Sequence, residues 1–436
     1  MADVSATAAR RIRSHCHGGD GAVVDSISGL PDVILQHILT FVPTKYAIRT
    51  SLLSKRWRHV WCDTPSLSFS SCSTLKASWI DQTLTRYTSP KIMHFLLDIT
   101  ENHGVPRIKR WIEFAISRHV ENLFLSLSLH KYRFPDFFYF NNSSLKQLTL
   151  KYCKIFPECS VSWTSLKNLS LIRCSVSDKS MAKILSGCPV LESLTLSHCY
   201  KLSYLSLRRS LRLRTLVVER SSSVTGPKHI DAPHIHYLYL RYSDQFYNLV
   251  DVSSLTEADV NICTNELSCD AGVLQSTVMS MLEKLQHLEK LTFGGNLLQV
   301  LSFAELDGVP FPMFKVKALT LKTRIFHYVV PGIKRVLQNS HDLKKLTLHT
   351  IHCKTKPANQ VIRFFALQGA QLTRRSKDAL LWDKKSEHLI SFVVLVLKNT
   401  KALENMFLVL TKQYHMFKKM IRKLSRYNKV SIALAN

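Results

Sequence analysis

The chain has 436 residues, of which 46% are apolar, 21% charged and 9% aromatic, a balance that excludes a disordered or collagen-like polymer and allows either two or three domains or one long repeat array. Its 13 glycines are about half the usual share of roughly 7%, so Gly-rich phosphate loops have little raw material. Lys plus Arg number 59 against 31 Asp plus Glu, a formal charge of +28, and the excess concentrates after Lys315, where 25 basic residues face 5 acidic ones; a field of that sign attracts acidic proteins, anionic membranes or nucleic acid.

Residues 1–24 are polar and carry Arg10, Arg11 and Arg13 with no apolar run behind them, which reads as a disordered tail and not a secretory signal. Eleven cysteines without such a signal are expected as free thiols in a reducing compartment, the nucleus or cytoplasm. From Asp25 the pattern changes. Leu30, Ile34, Leu35, Ile38 and Leu39 share one side of a helix, with Ser28 as a candidate N-cap, Pro31 near the first turn and Pro43 as the stop. A second apolar stretch carries Ala47, Ile48, Leu52, Leu53, Trp57, Val60 and Trp61. Two or three helices this short cannot bury so much apolar surface among themselves, and some of it is expected to meet a partner.

The stretch from Asp25 to Trp61, with its landmarks Leu30-Pro31 and Ser54-Lys55-Arg56-Trp57-Arg58, resembles the F-box of plant F-box proteins. The resemblance implies a three-helix hook that docks onto a Skp-type adaptor, and through it onto a cullin carrying ubiquitin-conjugating machinery. It places Leu30, Pro31, Ile34, Leu35, Ile38, Leu53, Ser54, Trp57 and Trp61 at that interface. Apolar and aromatic anchors are what such interfaces draw on, at about 2 kcal/mol or more each on truncation.

A repeat follows. Leu145, Leu148, Leu150 and Cys153 recur as Leu166, Leu169, Leu171 and Cys174, and again as Leu191, Leu194, Leu196 and Cys199. The pattern is LxxLxLxxC at spacings of 21 and 25 residues, within the range of leucine-rich repeats, and the LxL alternation puts both leucines on one side of a strand. Weaker units lie at 123–127, 213–218, 235–240, 288–293, 316–321 and 343–348; Leu202, Leu205 and Leu207 suggest an outer strand or turn, and 251–286 breaks the period, as a long loop or inserted helix would. The three cysteines occupy the turn position, where a small buried side chain is required, and no CxxC pair exists to build a metal site.

The apolar run from His388 to Met406 resembles the end of the FBD domain that follows the repeats in many plant F-box proteins, a helix and strand that close the array. Residues 357–385 match no pattern, and Met416, Phe417, Met420, Ile421 and Leu424 beside Lys418, Lys419, Arg422 and Lys423 predict a basic amphipathic helix that packs as a cap. The longest apolar run, Ser391 to Leu397, is too short to cross a membrane. GxSxG, HExxH and P-loop patterns are absent from the sequence.

The expected fold is α/β: a tail over 1–24, a three-helix F-box over 25–65, an irregular leucine-rich-repeat solenoid over 75–350 and a divergent FBD-like cap over 351–436. The expected function is that of the substrate-recognition subunit of a Skp-cullin-F-box ubiquitin ligase. Such a subunit is itself non-catalytic, needs no cofactor or metal, binds the adaptor through the F-box, and holds an unknown target protein on the repeats. The alternative is a non-degradative scaffold or a nucleic-acid binder using the basic C-terminal third. Nucleic acid is disfavoured, because aromatics are not interleaved with Lys and Arg in a recognisable pattern.

Overall fold

In the computed structural model of the chain, the residues described are 27, 29–70, 76–100, 103–127, 132–140, 142–220, 226–242, 247–262, 271–295, 297–323, 329–350, 386–409 and 430–435. The tail at 1–24, the Ser28 cap, the stretch 357–385 and the basic helix at 416–424 lie outside them.

The N-terminal unit is made of α1 (Asp32–Leu39), α2 (Thr44–Arg49) and α3 (Trp57–Val60), with 3₁₀ turns at Thr50–Leu52 and Trp61–Asp63. Pro31 and Pro43 stand at the N-cap positions of α1 and α2, where a missing N–H costs nothing. The strands follow in chain order as β1 (Ser66–Ser70), β2 (His94–Ile99), β3 (Asn122–Leu127), β4 (Gln147–Lys151), β5 (Lys154–Ile155), β6 (Asn168–Ile172), β7 (Ser175–Val176), β8 (Ser193–Ser197), β9 (Tyr204–Ser206) and β10 (Thr215–Glu219). Then come β11 (His229–Asp231), β12 (Tyr237–Tyr242), β13 (Asn248–Asp251), β14 (Glu257–Ile262), β15 (Lys290–Gly295), β16 (Ala318–Lys322), β17 (Lys345–His349), β18 (Asn405–Val409) and β19 (Ser431–Ala435).

Fourteen of these form one sheet in the order β1-β2-β3-β4-β6-β8-β10-β12-β14-β15-β16-β17-β18-β19, every neighbouring pair parallel. The LxL alternation sets this directly. In β6, Leu169 and Leu171 are buried while Asn168, Ser170 and Ile172 are half-exposed, and the same inward pair recurs in register as Leu148/Leu150 and Leu194/Leu196. The leading leucine of each unit, such as Leu145, Leu166, Leu191 and Leu213, is also buried. Stacking joins these layers into one continuous core, which a single repeat could not form.

Two boundaries read from the sequence are corrected. The sheet begins at β1, before residue 75, because Leu67 and Phe69 alternate inward there and pair in register with Phe95 and Leu97. It also does not end at 350. The pairs β17–β18 and β18–β19 continue the same parallel ladder, so the region expected as a cap adds further layers. The irregular stretch 251–286 divides into the in-phase strand β14 and the helix α8 (Ala271–Lys284).

Repeat length decides what lies on the convex side. Strands starting at 193, 215, 237 and 257 leave room only for the short strands β9, β11 and β13, which form their own parallel sheet. Longer repeats return through helices: α4 (Ala77–Arg86), α5 (Val105–Ser117), the short α6 (Phe137–Phe140) and α7 (Asp178–Ser186) on one flank. On the other are α8, α9 (Leu297–Leu306), α10 (Val330–Gln338) and α11 (Ser386–Asn399). In α5 the buried set Ile108, Trp111, Ile112, Ala115 and Ile116 follows the helical period, and Ser177 Oγ caps α7 by accepting the Ser180 N–H at 3.1 Å.

The turn that takes the chain off the sheet is repeated. Tyr152, Arg173 and His198, each one residue before the repeat's cysteine, have φ of 60°, 52° and 54°. Left-handed backbone costs a non-glycine residue about 1–2 kcal/mol. It is offset by N–H bonds from Tyr152 to the carbonyl of Ile172, from Arg173 to Ser197 and from His198 to Glu219. The following cysteine is turned inward: Cys174 and Cys199 donate to the carbonyls of Leu150 and Leu171 at 3.2 and 3.3 Å. Burial holds the thiols of Cys153 and Cys199 well above the usual range, so the cysteines are structural.

Where the chain enters each strand, a ladder of charges runs across the sheet. Glu121 pairs with Lys146 at 2.8 Å, Lys167 with Glu192 at 3.0 Å, Glu289 with Lys317 at 2.8 Å and Lys344 with Glu404 at 3.3 Å. Hydrogen bonds from Lys146 and Lys91 hold the Glu121 carboxyl below its usual range. Its stabilisation is therefore complete above the unfolded value of about 4.3 and is lost as pH falls through the lower folded value. Thermal unfolding across pH should show Glu121→Gln less stable by about 1 kcal/mol at neutral pH, with the difference vanishing as pH falls through the lowered folded value; a pH-independent difference would rule this account out.

At Gly187 a Cβ would run into the backbone carbonyl of Val161, while the Gly187 carbonyl accepts the Trp163 N–H at 3.0 Å. Gly187→Ala should therefore cost about 1–3 kcal/mol by forcing α7 away from its neighbour, read as a lowered Tm.

Candidate functional site

Exposed apolar side chains are concentrated in one place. Of the seventeen large hydrophobic residues exposed among those described, nine fall between Ile27 and Leu53, far more than the singly scattered apolar side chains of an ordinary surface. Helix α1 explains much of it. Leu35 and Leu39 lie four apart and face inward, while Ile34 and Ile38, one stripe over, are each 45% exposed. A helix apolar on two stripes with one buried leaves the other for a partner. Val33, Phe41, Val42, Tyr46, Leu52 and Leu53 extend the surface, with Leu52 at 87% and Phe41 at 77% exposure.

The domain's own core is small: Leu35, Leu39, Ala47, Val60, Trp61 and Cys62, with Leu30, Ile48 and Trp57 packed against it. Of the nine residues expected at an interface, Pro31, Ile34, Ile38, Leu53 and Ser54 are exposed, and Leu30 and Trp57 are half-buried. Leu35 and Trp61 are corrected. They are 0% and 4% exposed, because the three helices need an inward-facing leucine and one large ring to close over, and no surface of either is left to offer. Val33, Phe41, Tyr46 and Leu52, outside the nine, are exposed on the same unit; for Phe41 and Tyr46 the available signal is the apolar residues that flank Pro43.

The landmark pairs have a structural reason. Arg56 Nε donates to Asp32 Oδ1 at 2.8 Å, and its guanidinium also reaches the Leu30 carbonyl, so the segment before α3 is tied to the entry of α1. Asp32 also complements the N-terminal dipole of α1. The unit is joined to the solenoid by Thr44 Oγ1, which accepts the Ser68 N–H of β1 at 2.7 Å, and by the Cys62 carbonyl, which accepts the N–H groups of Thr88 and Ser89. These bonds tie the F-box unit to the first layers of the sheet.

Comparison with known proteins agrees with this division. An F-box domain model matches residues 27–69. A second, described as the At1g61320/AtMIF1 LRR domain, matches residues 88–433, most of the chain. The chain belongs to the plant F-box/LRR-repeat family. It is 53% identical over 456 residues to the Arabidopsis thaliana putative F-box/LRR-repeat protein At3g18150, covering 100% of this chain and 98% of that one. It is also 48% identical to the A. thaliana F-box/LRR-repeat protein At5g02910, over 89% and 88% of the two chains. The repeat match runs on to residue 433, through the region expected as an FBD-like cap, in line with the continuing strands β18 and β19.

Among the described residues of this F-box/LRR-repeat protein, no group of three His, Cys, Asp or Glu side chains is placed to hold a metal ion, and no helix is long and apolar enough to cross a membrane. The core and surface roles of the F-box residues separate in a hydrogen-exchange measurement. Leu35→Ala, which should cost about 2–5 kcal/mol, is expected to remove protection from residues 32–63 while strands β6 to β12 stay protected; Phe41→Ala should leave both protected.

Proposed function

We propose that this protein is the substrate receptor of a Skp-cullin-F-box ubiquitin ligase. The observation that carries the reading is the exposed apolar surface of Ile34, Ile38, Phe41, Leu52 and Leu53 on an F-box whose fold is held by other residues. Pro31 and Ser54, exposed at the two ends of this surface, complete the contact. A Skp-type adaptor covers the patch and links the chain to a cullin; the solenoid holds a target. Chemistry belongs to the conjugating subunits. Proximity supplies the rate, since a target lysine held near a charged conjugating enzyme reacts as if the step were intramolecular. Buried free thiols such as Cys153, Cys174 and Cys199 fit a reducing compartment, nucleus or cytoplasm.

The hydrogen bond from the Ser68 N–H to Thr44 Oγ1 suits this reading, because a receptor that positions its cargo needs its two binding surfaces tied together. A pull-down with a recombinant Skp-type adaptor tests the reading. The intact chain should bind, and Ile38→Asp with Leu53→Asp should lose binding by at least about a hundredfold without a change in Tm. Failure of the intact, folded chain to bind any Skp-type adaptor would overturn it.

A further inference from the structure

The two ends of the long sheet are finished differently. At β1 the outer side is covered: Leu67 and Phe69 have no exposure, and the Ser68 N–H, which points away from β2, is taken by Thr44 Oγ1 of the F-box at 2.7 Å. At the other end, β19 has β18 as its one neighbour in the sheet. The Ser431 N–H donates to the Glu404 carbonyl at 2.9 Å. Backbone groups along a parallel strand alternate in direction, so those of Ile432 and Leu434 turn away from β18. Among the described residues nothing takes the N–H or the carbonyl of Ile432.

Side-chain burial has the same asymmetry. The first inward residue of the thirteen other strands, from Leu67 in β1 to Met406 in β18, is 2% exposed or less, whereas Ile432, at that position in β19, is half-buried. The last layer of the core therefore meets solvent on one side, with an open strand edge next to it. The usual protections of such an edge are missing from the strand: β19 reads Ser-Ile-Ala-Leu-Ala, with no charge, no proline and no break in register against β18. A solenoid end in this state is a surface on which another strand can pair.

We propose that β19 is the contact through which two copies of this chain associate, edge to edge and antiparallel about a two-fold axis normal to the sheet. What covers this end must offer a strand edge with unpaired backbone groups, an apolar residue opposite Ile432, and no charge. A second copy offers all three in the same five residues. With the axis at Ala433, Ile432 exchanges main-chain bonds with Leu434 of the second copy, and both cores stay on one side of a continuous sheet. Neither β18 nor β19 contains an ionisable side chain, so the formal charge of +28 sets no like charges opposite each other here. Isologous pairing uses up the open edge and stops at two. Five residues at about 3.3 Å make a contact about 17 Å long, too short to bury the roughly 1,200 Å² of a permanent interface, so the dimer is weak and reversible. The proposal stands apart from the receptor reading; joined to it, the dimer carries two F-boxes and two target-holding surfaces.

Sedimentation velocity of the full chain in reducing buffer at about 0.15 M salt, over about 1–100 µM, tests this. The expected result is a monomer–dimer equilibrium that shifts with concentration and goes no higher. Ala433→Lys sets two like charges against each other at the axis and should weaken association about tenfold or more. Ile432→Pro, which removes an N–H that no bond to β18 uses, should do the same. Thr320→Lys, the same charge on the same face of the sheet but in the interior strand β16, should change association less than about twofold. A monomer at every concentration would overturn the proposal; so would an equal loss in Thr320→Lys, a dimer indifferent to both β19 variants, or growth beyond the dimer. If Ile432→Pro lowers Tm, Ala433→Lys carries the comparison.

Discussion

Everything in this molecule depends on a parallel backbone ladder in which each strand buries its leucines by stacking against its neighbours. A single LxxLxLxx unit has two inward side chains on its strand and one before it, too few to offset the entropy of ordering twenty or more residues. Stacked, the same residues share a core that runs from Leu67 to Leu408. The stability of any one layer is therefore borrowed from its neighbours, which explains how the array tolerates return segments as different as helix α7, strand β9 and helix α10. What is conserved from layer to layer is the inward alternation and the backbone register; the convex side is free to vary with repeat length.

The F-box sits at the opposite extreme. Its six buried residues make a core well short of what an independent domain needs, and it leans on β1 through Thr44 and on the segment after α4 through the Cys62 carbonyl. An apolar patch that stays exposed on so small a unit is destabilising unless something covers it. The exposed stripe on α1 works against the folding of the unit, and the hydrogen bonds to the solenoid work for it.

How much of this could be read from residues varies with the physics involved. The three repeats ending in Cys153, Cys174 and Cys199 were plain because leucine alternation and a buried turn residue coincide. Strand β14 was hidden because Ala258 stands where a leucine is expected and Asp259 and Asn261 look like loop residues. Strands β18 and β19 were assigned to a separate cap because pairing partners distant in sequence leave no local mark. On α1 the periodicity showed both Ile34/Ile38 and Leu35/Leu39 but could not say which stripe faces inward, since two stripes one residue apart differ by only about 100° around the helix. The left-handed turns at Tyr152, Arg173 and His198 were invisible as well, because none of these residues is a glycine or asparagine.

Those turns connect the buried core to the surface at the edge of the sheet. A left-handed residue before the cysteine brings the thiol inward and hands its own N–H to the next strand, and the side chain at that position lies at the edge of the sheet, exposed at Arg173 and half-buried at Tyr152 and His198. The backbone does not specify which side chain it is, so one structural device leaves a variable position in each of several adjacent repeats, all displayed along one line. Here two of those positions carry arginine and histidine beside the strand-terminal Lys151 and Arg241. An edge built this way can change its charge without disturbing the core, because substituting an outward side chain alters neither the inward leucines nor the ladder that holds them. Surface charge and core stability then depend on different atoms of the same turn.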